Sequence, residues 1–239
     1  MEQVPFYIDL AIMLITLITV YIFYRSAHQS RTVLVIAAVW LVLQAIISKT
    51  GFYTHTNTTP PRFVLTILPP LLFIAILFIV PAGRRFADSI NIKTLTMLHI
   101  IRLPVELVLY SLFMYKAIPL VMTFEGRNLD IISGLTAPLI YYIVFVKKWA
   151  GNTLLLVWNI ICLCLLLNIV ATAVLSAPFP FQQLGFDQPN IAILYFPFVW
   201  LPCCIVPIVF FSHLVSIRYL LRSKMPATPL AIVQRTERI

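Results

Sequence analysis

Apolar residues in this chain run on without interruption, and charged or turn residues mark where each run stops. Seven such runs cover residues 6–24, 32–48, 63–82, 94–115, 129–146, 153–176 and 191–216. A hydrocarbon layer about 30 Å thick is crossed by roughly 20 residues of helix, so runs of this length predict transmembrane helices. Membrane strands are about 10 residues long and alternate strictly, which these runs do not. The predicted fold class is an all-α integral membrane protein, a seven-transmembrane helix bundle.

Composition agrees: 61% of the 239 residues are hydrophobic and 10% are charged, with a mean hydropathy of +0.98. Water cannot be the solvent for most of such a surface. The charges then set an orientation. With the N-terminus outside and the C-terminus cytoplasmic, the inner segments hold Arg25, Arg31, Arg84, Arg85, Lys93, Lys147, Lys148, Arg218, Arg222, Lys224, Arg235 and Arg238, and the outer ones only Lys49, Arg62, Lys116 and Arg127. That asymmetry follows the positive-inside rule. It also accounts for the net charge of +9 without a nucleic-acid partner. The first run lacks a basic n-region and a small-residue cleavage site, so it reads as a retained helix.

The connections are short, which predicts one transmembrane domain over residues 1–222 and a basic cytoplasmic tail over 223–239. The predicted location is integral and multi-pass, in the inner membrane if the source is bacterial. The lipid bilayer is the expected partner, oligomerisation stays open, and Cys162, Cys164, Cys203 and Cys204 fall inside spans as small apolar residues. No disulfide framework, metal or cofactor is predicted.

Setting Asp9 over Asp130 aligns the first run with the fifth and pairs Leu14 with Leu135, Tyr21 with Tyr142 and Ile22 with Ile143. Val39 and Trp40 in the second run match Val157 and Trp158 in the sixth. The register is compatible with a 3+1+3 parallel repeat, and chance matching among segments of so few residue types competes with it. Over the spans alone, this layout resembles that of the SWEET sugar carriers and, more distantly, the microbial rhodopsins. The Pro-Gln pair of PQ-loop carriers is absent, and the seventh run has no lysine for a Schiff base.

Ionisable groups inside a membrane need a partner or a reason. His99, Arg102 and Glu106 are spaced by three and four residues, which puts them on one face of the fourth helix with Tyr110 a turn further on. Counted from Lys93, Arg102 lies about 14 Å and Glu106 about 20 Å into the membrane. Pro104, between them, leaves the carbonyl of Ile100 without its helical donor. These four residues are the candidate substrate-binding or proton-relay site; neutralisation of Arg102 by Glu106 within one helix is the structural alternative. Asp9, Glu125, Arg127 and Asp130 form a candidate outer vestibule. Asn128 is placed to cap the fifth helix, Ser133, Gly134 and Ala137 to admit a close neighbour, and Asn159 and Asn168 to bond between helices. His99 and His213 alone among the histidines can meet, and no pair has the spacing of a metal site.

A small-molecule or ion transporter with a polar site near the midplane, proton-linked through Glu106 and His99, ranks first. An intramembrane enzyme acting on a lipid or isoprenoid is the alternative, with no nucleophile motif in its favour. A ligand-binding sensor or a subunit of a membrane complex is the third reading.

Overall fold

The computed structural model describes residues 4–224. It contains α1 (Phe6–Ser26), α2 (Arg31–Lys49), α3 (Val64–Ile79), α4 (Pro81–Ser89), α5 (Ile92–Leu98), α6 (Arg102–Met114), α7 (Ile131–Tyr141), α8 (Asn152–Leu175) and α9 (Val206–Lys224), and among the described residues there is no strand. Five segments are long and apolar enough to cross a membrane: α1, α2, Ile92–Met114, Asn152–Leu175 and Leu201–Arg222. A sixth is added if α3 and α4, bent by 95° at Pro81, make one broken span. The protein is therefore a multi-pass membrane protein in a lipid environment. The basic tail lies, beyond residue 224, outside the described residues.

Helix ends follow local chemistry. Gly51, at φ +74, takes the left-handed position after α2, and its N–H donates to the Ser48 carbonyl at 3.1 Å. Pro81 opens α4, where a missing N–H costs nothing. Gly83 makes the α3–α4 corner, since a Cβ there would lie 2.4 Å from the carbonyl oxygen of Leu77. Asn91 caps α5 by accepting from the Thr94 N–H at 3.2 Å. Near Pro104, the fourth span tightens into a 3-10 turn over His99–Ile101, yet α5 and α6 remain one span.

Two runs depart from expectation. The seventh begins its helix at Leu201, not at 191, because turns around Pro197 occupy the preceding residues. It opens with a π-helical segment, Leu201–Ile205, before α9. The fifth is short: α7 and the π-helical Tyr142–Val146 span only 131–146, about 24 Å at a helical rise. The connection before it compensates by folding inward, with Ile118, Met122, Thr123 and Asn128 all buried.

The burial pattern identifies the interior helices. In their most apolar windows, 50% of the fourth span and 56% of Leu201–Arg222 are buried, against 17% of α2. The helices richest in ionisable groups are thus central. α2 is held at the edge by two reciprocal bonds: Trp40 Nε1 donates to the Cys203 carbonyl at 2.9 Å and Trp200 Nε1 to the Leu41 carbonyl at 3.0 Å. Pro207 has no N–H for the Cys203 carbonyl, so Trp40 supplies the donor that the helix lacks. At the opposite end from Arg62, Asp88 on α4 grips α9, accepting from Arg218 at 2.8 Å and Arg222 at 2.5 Å.

Candidate functional site

Helices from the fourth, fifth, sixth and seventh apolar runs meet at a buried polar centre. The fourth contributes His99 from its 3-10 turn and Arg102 and Glu106 from α6. Asp130 stands at the N-cap of α7, Asn159 and Cys162 on α8, and His213 on α9. Close approach of α6 and α7 is secured by Gly134, where a Cβ would come within 2.6 Å of the Leu103 backbone nitrogen.

Arg102 is 2% exposed, and its guanidinium is satisfied on every side. Nε donates to Asp130 Oδ2 at 2.6 Å, and Nη2 pairs with Asp130 Oδ1. Both terminal nitrogens donate to the Cys162 carbonyl, at 3.3 and 3.2 Å, and Nη1 also lies 3.2 Å from His213 Nε2. These contacts use the donor fork of an arginine fully.

The tautomer of His213 follows from its neighbour. Asn159 donates through Nδ2 to the Leu155 carbonyl at 2.8 Å, which turns its Oδ1 toward His213 Nδ1 at 3.0 Å. An amide oxygen only accepts, so Nδ1 carries the hydrogen and Nε2 offers its lone pair to Arg102. His99 stacks on His213 with ring centroids 4.0 Å apart and meets the edge of Trp158 at 5.5 Å. Neither ring nitrogen of His99 has a hydrogen-bond partner among the described residues, although the side chain is fully buried.

Glu106 does not neutralise Arg102. It faces Asn128, whose Nδ2 lies 2.7 Å from each carboxyl oxygen and 3.0 Å from the Met122 carbonyl. Three acceptors thus converge on one amide group with two hydrogens. Asn128 Oδ1 meanwhile accepts the backbone N–H of Asp130 at 3.0 Å, linking the two carboxyl groups through one side chain.

His99, Arg102 and Glu106 accordingly lie together, as their spacing implies. Tyr110 lies apart, half-buried against Phe124 at 4.9 Å. Of the residues expected around an outer vestibule, Glu125 and Arg127 are exposed and Asp9 is half-buried in the first turn of α1. Asp130 is instead 5% exposed and belongs to the centre, because the connection before α7 folds inward and carries it there. His213, Asn159 and Asn128 complete the centre; each is a polar residue within or beside an apolar run, and that was their signal in the sequence. Asn168 bonds the Arg127 carbonyl at 3.1 Å, away from Asn159. Among the described residues no group of three or more potential ligands could hold a metal ion.

A family model described as Domain of unknown function (DUF8737) matches residues 59–221, a stretch that contains every residue of the buried centre. No curated protein and no solved structure matches the chain.

Proposed function

The chain belongs to the family described as Domain of unknown function (DUF8737), and from that premise we propose that it is a membrane carrier moving a small anionic solute together with a proton. The observation that carries this reading is the charge balance of the centre. Arg102 is matched by Asp130, which leaves Glu106 as a second buried carboxyl group with no cation bonded to it. An unmatched charge in a low-dielectric interior costs several kcal/mol, and a bound proton removes it. In this reading the anionic group of the solute takes the place of Asp130 on Arg102, Glu106 holds the coupled proton, and the unpartnered His99 relays it.

The backbone supports movement around that site. A 3-10 segment at 99–101 carries His99 into the centre, and irregular backbone lining a binding centre is a device of alternating-access carriers. The reading includes seven crossings, counting the bent α3–α4 pair and the short 131–146 segment, with the N-terminus outside and the C-terminus cytoplasmic. The 3+1+3 repeat draws less support, since Asp9 and Asp130 occupy unlike environments.

One observation favours an intramembrane enzyme acting on a lipid as the second reading. Met122, whose carbonyl accepts from Asn128, and Leu109, one helical turn from Glu106, also line an apolar groove. The two readings separate in reconstituted vesicles holding a trapped pH dye and challenged with lactate or phosphate. Anion entry with lumenal acidification, lost in Glu106→Gln, is expected; entry that ignores a pH gradient and persists unchanged in Glu106→Gln overturns the carrier. A lipid product that requires the intact protein and vanishes in His99→Ala establishes the enzyme instead.

A further inference from the structure

The apolar groove has a volume of about 160 Å³ and no polar surface. Its walls are α3 from Phe63 to Leu71, α8 from Leu166 to Val174, and the last span from Leu201 to Phe210. At a helical rise these stretches are each about 12–14 Å long. Half of a hydrocarbon core about 30 Å thick is about 15 Å. The stretches that wall the groove thus match the depth of a single leaflet.

Its upper end is defined by packing. Phe63 clusters there with Ala177, beyond the end of α8, and with Val199, just before the last span. A cation, Arg62, stands at that boundary. Arg62 directly precedes Phe63, with its guanidinium 4.8 Å from the ring centroid of Phe52. Arg62 forms no ion pair among the described residues.

From this geometry we infer that the groove is a specific site for an anionic phospholipid, with one acyl chain along the groove and the phosphate at Arg62. The groove is continuous with the lipid-facing surface, since Leu71 and Leu167 on its rim are 37% and 50% exposed. A cavity of about 150 Å³ lined by aliphatic side chains holds a six-carbon ring and excludes water. A chain segment is the corresponding occupant in a bilayer, and Arg62, which has no ion-pair partner among the described residues, selects a negative headgroup over a zwitterionic one. This inference does not depend on the carrier reading.

The test uses the full-length protein in bilayers carrying trace phosphatidylglycerol with a photoactivatable group in its acyl chain. Irradiation and peptide mapping are expected to concentrate the label on α3 and α8. The label should fall severalfold in Leu167→Trp and in Ala173→Phe, which fill the groove from its rim and wall. Val39→Trp, on the equally lipid-facing α2, should leave it unchanged. Arg62→Gln should lower labelling by phosphatidylglycerol relative to a phosphatidylcholine probe. Label spread evenly over α2, α3 and α8, or unaffected by both groove-filling variants, overturns the site. Equal labelling by the two lipids in the unmodified protein overturns the assignment of an anionic headgroup.

Discussion

Asn159 Oδ1 lies 3.0 Å from His213 Nδ1, and this one contact decides which imidazole nitrogen meets Arg102. Fixing the tautomer lets a neutral histidine accept from a guanidinium without a clash of donors. Asn159→Ala leaves a buried N–H unmade and frees the ring to turn. Destabilisation of about 1–3 kcal/mol is expected, read as a lower midpoint of unfolding in detergent. An unchanged midpoint would show that the bond contributes nothing.

The Arg102–Asp130 pair should behave as a buried unit. Asp130→Ala strands a guanidinium in the interior and is expected to destabilise by about 3–5 kcal/mol. Replacing both partners by apolar residues, as Arg102→Met with Asp130→Leu, should lie closer to the original protein than Asp130→Ala does. A double variant worse than the single one would mean that the pair is not a closed unit.

Close packing of α6 on α7 depends on the missing side chain of Gly134, 2.6 Å short of the Leu103 backbone for any Cβ. Gly134→Ala must push the helices apart, at roughly 1–3 kcal/mol. Denaturant titration measures the loss, and a stabilising outcome would contradict the contact.

At the other end of the bundle, the hydrogen bond from Arg218 holds the Asp88 carboxyl below the ordinary carboxylate range; partial burial opposes this and Arg222 adds to it. A value depressed in the folded state means that the clamp acts in full above the unfolded pKa, about 3.9, and is lost as pH falls through the depressed value. Protection of the 214–222 amides against hydrogen exchange, taken relative to the intrinsic rate at each pH, should fall in that acid range and with added salt. Asp88→Asn should remove the pH dependence.

Most spans were legible in the sequence because lipid demands long apolar runs, and spacing alone put His99, Arg102 and Glu106 on one face. The partner of Arg102 was not legible. Asp130 looked superficial because the fifth run was counted from the membrane boundary, whereas inward folding of residues 117–128 carries it into the centre. Glu106 suggested itself as the neutralising group by proximity along one helix, but Asn128, reached from a connection, takes its carboxyl. The start of the last span was also hidden, since 191–200 is as apolar as a helix while Pro197 and Pro202 favour turns and a π-helical entry.

The central claim, that Glu106 binds and releases a proton inside the bundle, is tested most directly by infrared difference spectra of the reconstituted protein between acidic and alkaline buffer. The account predicts a carboxylic-acid carbonyl band that changes with pH, shifts in heavy water and disappears in Glu106→Gln. A spectrum whose pH-dependent carboxyl bands are the same in Glu106→Gln would contradict it.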